Sequence, residues 1–248
     1  MPALAGVSVL VTRPAHQAGP LVEKIEAAGG RAVIFPAVEI GDVEDDAALQ
    51  AVLGRIATYD LAIFVSANAV EKAYERMGAF PEGLRCAAVG KATMRALEAH
   101  GIERVLIPET GFDSEGLLEL SELKHVEGSR IVIFRGVGGR ELLAEELRKR
   151  GAQVDYAECY RRIRPAHHPV LAEDSIQAVT ATSGEIVVNL CAMTEDWVRR
   201  KPIFLTHERI GEIARQCGFG QVVVAQGGEA GLLDALMKWF EFGDKTHG

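Results

Sequence analysis

The sequence predicts an α/β protein whose sheets are mainly parallel. Short runs of β-branched and other apolar residues alternate with longer helical patterns almost from one end of the chain to the other. Most of these runs are followed by a turn of small polar residues, and glycine often closes the helix that comes next. A repeated strand, turn and helix needs crossover connections, and such connections join parallel strands.

The predicted elements follow one another in order along the chain. In the first part, strands are expected at residues 7–12, 60–65, 86–89, 104–107 and 129–134, and helices at 17–28, 68–77, 91–100, 114–123 and 140–150. In the second part, strands at 178–182, 202–205 and 221–225 lead into helices at 184–193, 208–217 and 229–240.

Two extended segments, residues 31–40 and 153–163, do not lead directly into a helix. Extended segments of this kind are natural connectors between separate bodies. We therefore predict a discontinuous first domain, a second domain inserted into it, and two linkers. The predicted ranges are 1–36 with 165–248, then 41–158, with linkers near 37–40 and 159–164. Two similar domains that face each other would form a cleft, which is a usual place for a ligand.

Composition narrows the classes of function. The chain has 248 residues, of which 48% are hydrophobic and 25% charged, as in ordinary globular proteins. The net charge of −8 disfavours nucleic acid as a partner, because phosphate binding depends on clustered lysine and arginine. No apolar run approaches the ~18 residues of a membrane span, and nothing resembles a secretory signal. We expect a cytoplasmic protein without membrane contact and, since heptads are missing, a monomer.

Small polar residues are concentrated where the predicted strands end. Ligands of open parallel sheets bind at these carboxyl ends, where helix N–H groups and small hydroxyls suit anions. Ser, Thr and Asn also cap helices, so a single turn indicates no more than a helix start. Taken together, the turns predict an anion-binding site. Its predicted binding residues are Thr12, Arg13, Ser66, Asn68, Lys91, Arg135, Gly136, Ser183, Gly184, Thr206 and Gly227.

Several common catalytic motifs are missing from the sequence. The glycine-rich segment after Arg135 lacks the third glycine of a dinucleotide loop, because Glu141 occupies that place. The chain has no phosphate-binding P-loop and no GxSxG turn. The four cysteines form no CxxC pair, and the adjacent His167 and His168 would point in different directions. We expect no metal site and no nucleotide cofactor.

Tyr160 lies in the second extended segment, where its phenolic O–H can face the cleft. A neutral hydroxyl donates a hydrogen bond, or acts as a general acid, without repelling an anionic ligand. A tyrosine in an extended segment is more often a half-buried packing residue. The residue pattern leaves both interpretations open.

An ordered set of short motifs resembles the uroporphyrinogen-III synthase family. The motifs run across nearly the whole chain with similar spacing. They are VLVTRP at 9–14, FVSANAV at 64–70, AVGKAT at 88–93, Arg135-Gly136 with Arg140-Glu141 and Leu147, and Tyr156 with YRR at 160–162. The resemblance implies two flavodoxin-like domains joined by a two-stranded linker, with the first domain made of both chain ends.

The resemblance also implies an enzyme of tetrapyrrole and heme biosynthesis, a cyclising hydro-lyase. In this family hydroxymethylbilane closes to uroporphyrinogen III with loss of water and inversion of ring D, without a metal or organic cofactor. The resemblance makes Tyr160 the catalytic residue, which assists the loss of hydroxide. It adds Thr93 to the binding turns, beside Ser66 and Asn68, and assigns Thr206 to a turn of the first domain.

Two other functions stay open on the sequence alone. A two-domain module could bind a polyanionic small molecule without chemistry, and it would use the same turns but would not need Tyr160. A phosphate- or nucleotide-using α/β enzyme is disfavoured by the missing glycine motifs. The isomer formed from hydroxymethylbilane distinguishes the enzyme from these two alternatives, because only the enzyme is expected to give type III product in excess of the spontaneous type I.

Overall fold

The computed structural model describes residues 2–111 and 113–242. Contacts divide the chain into two compact units. The first unit is formed by both ends of the chain, up to Glu39 and from Ile163 onward, and the second is Ile40–Arg162. Each unit contains a sheet whose recorded strand pairings are parallel, so the predicted α/β class is confirmed.

The first unit has a five-stranded sheet in the order β11-β10-β9-β1-β2. Its strands are β1 (Ser8–Val11), β2 (Arg31–Ile34), β9 (Ala178–Ala181), β10 (Ile203–Leu205) and β11 (Val222–Val224). Its helices are α1 (Ala15–Ala27), α8 (Gly184–Met193), α9 (Glu208–Gln216) and α10 (Leu232–Phe242). From β1 the chain continues to β2 at one edge of the sheet. Later it continues from β9 through β10 to β11 at the other edge, so the strand order reverses between β1 and β9.

The second unit has a six-stranded sheet in the order β3-β8-β7-β4-β5-β6. Its strands are β3 (Glu39–Gly41), β4 (Leu61–Phe64), β5 (Arg85–Ala88), β6 (Val105–Leu106), β7 (Arg130–Gly136) and β8 (Gln153–Ile163). Its helices are α2 (Ala47–Leu53), α3 (Ala67–Met77), α4 (Lys91–Ala99), α5 (Ser114–Leu118), α6 (Ser121–Lys124) and α7 (Leu142–Lys149). The strand order reverses between β4 and β7, where a crevice at the carboxyl ends is expected.

Both faces of each sheet are buried, which explains the nearly continuous apolar strands. In β1, Val9 and Val11 belong to one apolar cluster and Leu10 belongs to the cluster on the other face. In β4, Ala62 and Phe64 face one cluster and Ile63 the other. A parallel sheet covered on both sides therefore needs no polar face, in agreement with the sequence pattern.

The single helix predicted for residues 114–123 is wrong, because the chain forms two short helices there. The backbone of Leu120 is extended and separates α5 from α6. Arg150 Nη1 donates to the carbonyl oxygens of Leu118 at 2.7 Å and Leu123 at 3.0 Å. The residue that follows α7 thus satisfies carbonyl groups at the ends of both short helices, whose last carbonyls have no partner within the helix.

The two extended segments are also more than connectors. Residues Arg31–Ile34 form β2, which pairs in parallel with β1. Residues Gln153–Ile163 form β8, which pairs with β7 from Arg130 to Gly136. Neither segment needs a helix immediately after it, because each lies near an edge of its sheet. The short helix α2 was not predicted from the sequence.

Among the described residues, no helix has both the length and the apolar character needed to cross a membrane.

Candidate active site

The predicted binding residues of the second unit lie at the carboxyl ends of three neighbouring strands. Ser66 and Asn68 follow β4, Lys91 follows β5, and Gly136 is the last residue of β7. The pairing of Phe64 with both Ala88 and Phe134 brings these three strand ends to one edge of the sheet. The side chains are far apart in sequence and become neighbours only through the register.

A cavity of about 300 Å³ opens at this edge. Apolar side chains line part of it: Val65 and Val89, which directly follow β4 and β5, Ile133 of β7 and Leu143 of α7. Asp113, Ser114, Arg135, Arg162 and Tyr160 also line it, together with residues 136–140 at the end of β7 and before α7. We call residues 136–140 the glycine loop. The cavity thus offers an apolar wall beside polar groups and exposed backbone, which suits a ring that carries acidic arms.

Tyr160 packs its ring against the end of β7 and directs its hydroxyl group to the β4 turn. The residue is only 2% exposed, and it belongs to the core cluster of the second unit. The ring needs a glycine at position 136, because a Cβ there would lie 2.7 Å from Tyr160 Cε2 and 2.8 Å from Cζ. The tyrosine is therefore a packing residue and a cavity residue at once.

The hydroxyl oxygen of Tyr160 lies 3.0 Å from Ser66 Oγ. Ser66 Oγ also accepts a hydrogen bond from the backbone N–H of Ala69 at 3.1 Å, so Ser66 caps α3. A serine hydroxyl that accepts from an amide still has its own proton to donate. Ser66 can donate that proton to Tyr160, which leaves the phenolic proton available to a ligand.

The other turn residues of the second unit differ in accessibility. Lys91 is exposed at the first position of α4, and Asn68 is half-buried in the first turn of α3. Thr93 lies in α4 and is only 4% exposed. A ligand at this edge therefore reaches Lys91 more easily than the side chain of Thr93.

Arg135 is held almost entirely by the protein itself. Its Nε and Nη2 donate to Glu158 Oε1 at 3.1 and 2.9 Å. Its Nη1 donates to the carbonyl oxygens of Gly139 and Arg140 and lies 2.8 Å from Glu141 Oε1. Burial acts to lower the pKa of the Arg135 guanidinium, but the hydrogen bonds to Glu141 and Glu158 outweigh it and raise the pKa. The ligand contact predicted for Arg135 stays a prediction.

The predicted residues of the first unit also gather at the carboxyl ends of adjacent strands. Thr12 and Arg13 follow β1, Ser183 and Gly184 follow β9, Thr206 follows β10, and Gly227 lies beyond β11. Ser183 Oγ accepts from the N–H of Ile186 at 3.3 Å and caps α8. Gly184 leaves no room for a side chain because Ile213 packs against it, and Gly227 is exposed with φ 82°. Thr12, Arg13 and Thr206 are buried.

The hydroxyl group of Thr12 is committed to the sheet. Thr12 is completely buried, and its Oγ1 donates to the backbone oxygen of Thr180 at 2.5 Å, across the point where the strand order reverses. Thr180 Oγ1 in turn donates to the backbone oxygen of Leu10 at 3.1 Å. The single hydroxyl proton of Thr12 is thus used within the protein and is not available to a ligand.

We expect Thr12→Val to lower the free energy of unfolding by about 1–3 kcal/mol, because the buried Thr180 carbonyl oxygen loses this donor. Thr12→Ser keeps the hydroxyl group and is expected to lose less stability. Urea unfolding of both variants measures the difference. A larger loss in Thr12→Ser than in Thr12→Val would show that packing of the methyl group, and not the hydrogen bond, stabilises this position.

Two buried thiols are inert at neutral pH. Burial raises the pKa of the Cys86 thiol to about 11 and that of the Cys159 thiol to about 12. Neither cysteine can serve as a nucleophile near pH 7. The hydroxyl groups of Tyr160 and Ser66 are therefore better candidates for chemistry in the second unit than these thiols.

Comparison with known proteins identifies the family. The model of the uroporphyrinogen-III synthase HemD family matches residues 19–233. The chain belongs to the uroporphyrinogen-III synthase family. The uroporphyrinogen-III synthase of Salmonella typhimurium is 32% identical over 94% of this chain and 99% of its own length, and that of Escherichia coli is 31% identical over the same shares. The resemblance seen in the sequence is confirmed.

Solved structures of the uroporphyrinogen-III synthase family share the fold. A uroporphyrinogen-III synthetase from Helicobacter pylori matches with a TM-score of 0.60 and 12% identity over 92% of this chain and 97% of that chain. A mutant enzyme from Thermus thermophilus matches with a TM-score of 0.57 and 16% identity over 95% and 97%. At these identities the likeness supports the fold only.

Sequence reasoning missed several residues of the cavity. Asp113 directly precedes α5 and Ser114 is its first residue, and Asp113 Oδ1 accepts from the N–H of Gly116 at 2.8 Å as a helix cap. The same strand, turn and helix order that identified the other turns applies here and could have added them. Val137, which is 55% exposed on the glycine loop, carries no comparable signal, because its place in the cavity depends on the loop conformation.

Proposed function

We propose that this protein is a uroporphyrinogen-III synthase, which closes hydroxymethylbilane to uroporphyrinogen III with loss of water and inversion of ring D. The observation that carries the proposal is the hydroxyl pair of Tyr160 and Ser66 beside a cavity, in a chain of this family. A neutral donor is suited to a leaving hydroxyl group on a substrate with many carboxylates, because it adds no charge.

The proposed reaction begins when Tyr160 donates a hydrogen bond, or its proton, to the hydroxyl group on ring A. The carbon–oxygen bond breaks, water leaves, and the positive charge is delocalised over an azafulvene. The substituted end carbon of ring D attacks that carbon and forms a spiro intermediate. The bond that joins this ring D carbon to the rest of the bilane then breaks, and the bond is formed again at the other end carbon of ring D, so that ring D is inverted. Ring D then loses a proton, which balances the proton given to the leaving group. No electrons are exchanged, so the proposal includes no redox cofactor.

The binding part of the proposal rests on backbone and small polar groups. In the second unit we assign substrate contacts to Ser66, Asn68, Lys91 and the backbone amides of the glycine loop, beginning with Gly136. These groups lie at or near the carboxyl ends of β4, β5 and β7. In the first unit we assign them to the turns of Thr12, Arg13, Ser183, Gly184, Thr206 and Gly227. Amide groups at helix starts bind carboxylates without a large excess of basic side chains, so the net charge of −8 is compatible with this substrate.

Control of geometry is the main catalytic task under this proposal. The linear bilane can close unaided, and it then forms the isomer without inversion. Holding a flexible chain in one reactive conformation can lower a barrier by up to ~7–11 kcal/mol. The predicted cytoplasmic location and monomeric state belong to the same proposal.

The direct test is incubation with freshly generated hydroxymethylbilane, followed by oxidation and separation of the type I and type III porphyrins. We expect type III in clear excess. The control reactions contain heat-denatured protein or no protein, and they are expected to yield the type I isomer. A product distribution equal to the controls would contradict the enzyme and would favour a module that binds a polyanion without chemistry.

A further inference from the structure

Arg135 stands at the end of β7 beside the cavity, where an arginine would ordinarily be assigned to a carboxylate of the ligand. Its environment indicates another role. The side chain is only 8% exposed. Each guanidinium nitrogen already has a protein acceptor, since Nε and Nη2 contact Glu158 and Nη1 contacts Gly139, Arg140 and Glu141. A ligand that took any of these hydrogen bonds would have to displace the protein acceptor.

One flat face of the guanidinium is also covered. The Tyr156 ring lies 3.7 Å from Arg135 Cζ, and the Tyr156 hydroxyl donates to Glu141 Oε2 at 2.5 Å. Hydrogen bonds from Tyr156 and Arg135 hold the pKa of the Glu141 carboxyl below its usual value, so this group stays ionised. A carboxylate of the substrate would meet both Glu141 and Glu158 close to Arg135. The repulsion makes this arginine a poor anion site.

Arg135 holds the end of the glycine loop, and a backbone hydrogen bond holds its start. At its start, the N–H of Val137 donates to the backbone oxygen of Tyr160 at 2.9 Å. At its end, Arg135 Nη1 binds the carbonyl oxygens of Gly139 at 3.2 Å and Arg140 at 3.4 Å. Between these points Gly138 has φ 73°, a conformation that glycine adopts without strain. The loop has two more glycines, so it has little stiffness of its own.

We propose that Arg135 is a positioning residue that holds the glycine loop in place beside the cavity, and that Glu141 and Tyr156 assist it, whereas none of the three binds the substrate. The loop lines the cavity next to Tyr160, so its conformation determines which backbone groups face the substrate. The effect on product formation rests on the proposed function, but the effect on the loop does not.

The first experiment measures amide hydrogen exchange of residues 136–141 in the full-length protein without substrate. We expect Arg135→Lys to increase exchange there by about tenfold, because lysine keeps the charge but cannot bridge two carbonyl groups and two carboxylates. Glu141→Gln and Tyr156→Phe are expected to increase it to a smaller extent. They also test the proposal if the lysine variant does not fold.

Arg55→Lys is the matched control. Arg55 contacts the Tyr59 ring at 5.9 Å, the Tyr59 hydroxyl at 3.1 Å and Asp155 Oδ2 at 3.1 Å, so it forms a similar cluster in the same unit away from the glycine loop. We expect amide exchange at residues 136–141 of the Arg55→Lys variant to equal that of the wild type. An equal increase in the control would mean that loss of any such cluster loosens the unit, and it would overturn the proposal.

The second experiment measures KM, kcat and the share of type III product. A positioning role predicts a lower kcat and more type I product for Arg135→Lys, with a similar defect for Glu141→Gln and Tyr156→Phe. A direct substrate contact predicts unchanged exchange in the free protein, a raised and salt-dependent KM for Arg135→Lys alone, and near-normal kinetics for the other two variants. That second pattern would overturn the proposal. A wild-type protein without type III product would contradict the proposed function and leave the exchange result to decide the role of Arg135.

Discussion

Replacing Tyr160 with phenylalanine is expected to lower kcat by about 10²–10⁴-fold, the usual contribution of a positioned general acid. The ring is buried against Gly136, and phenylalanine preserves that packing. The only group removed is the hydroxyl that lies 3.0 Å from Ser66 Oγ. The loss of stability should therefore stay near 0.5–1.5 kcal/mol, the net value of one hydrogen bond. Isomer-resolved kinetics and urea unfolding measure the two effects separately.

Tyr59→Phe provides a control from the same unit. Tyr59 is 6% exposed, and its hydroxyl donates to Asp155 Oδ2 at 2.7 Å. We expect this variant to lose a comparable amount of stability and to keep its kcat. The kcat of Ser66→Ala should fall between those of Tyr160→Phe and Tyr59→Phe. This variant removes a partner of Tyr160 and the cap of α3 but leaves the phenol. An unchanged kcat for Tyr160→Phe would remove this residue from the mechanism and leave the isomer test of the enzyme unaffected.

The substitution Gly136→Ala is expected to disturb the same tyrosine through its packing. The added Cβ would lie 2.7 and 2.8 Å from two atoms of the Tyr160 ring, well inside contact distance. The ring has to move, and its hydroxyl then loses its position beside Ser66. We expect a loss of about 1–3 kcal/mol in the free energy of unfolding, which is typical of overpacking, and a kcat at least tenfold lower.

Gly138→Ala separates this steric effect from a change in the glycine loop itself. Gly138 has φ 73°, and no heavy atom lies within 4 Å of the position that its Cβ would take. The substitution therefore strains the backbone without touching Tyr160, and we expect a smaller loss of kcat. Thermal unfolding and kinetics of both variants make the comparison. If Gly138→Ala were the more damaging of the two, the loop conformation would matter more than the position of the ring.

Local sequence signals were sufficient for most elements of the fold. Helix α8 begins and ends where the pattern predicted, because Ser183 and Gly184 mark its start. The signals failed where a distant side chain decides the outcome. At the break after α5, Arg150 from another part of the chain donates to the carbonyl groups of Leu118 and Leu123. A pattern confined to residues 114–123 does not contain that information.

The candidate site likewise depends in part on local sequence signals and in part on contacts between distant residues. The turns after β4, β5 and β7 could be recognised as binding candidates from their small polar residues alone. The sequence could not distinguish a hydroxyl that is committed to the protein from one that faces a cavity. The sequence named both Thr12 and Tyr160 as site residues, yet Thr12 donates to Thr180 inside the sheet, whereas Tyr160 lines the cavity. The same holds for Arg135, whose carboxylate partners lie on neighbouring segments.

The sequence by itself determined the α/β class, the position of most strands and helices, and the family, because apolar periodicity, helix caps and ordered motifs are local properties of the chain. Only the tertiary structure decided which groups meet. Tyr160 and Ser66 are 94 residues apart and come within hydrogen-bond distance because β8, β7 and β4 lie side by side in parallel register. Hydrogen bonds and ion pairs act over a few ångströms, so their partners are determined by strand order and register, which local patterns do not encode.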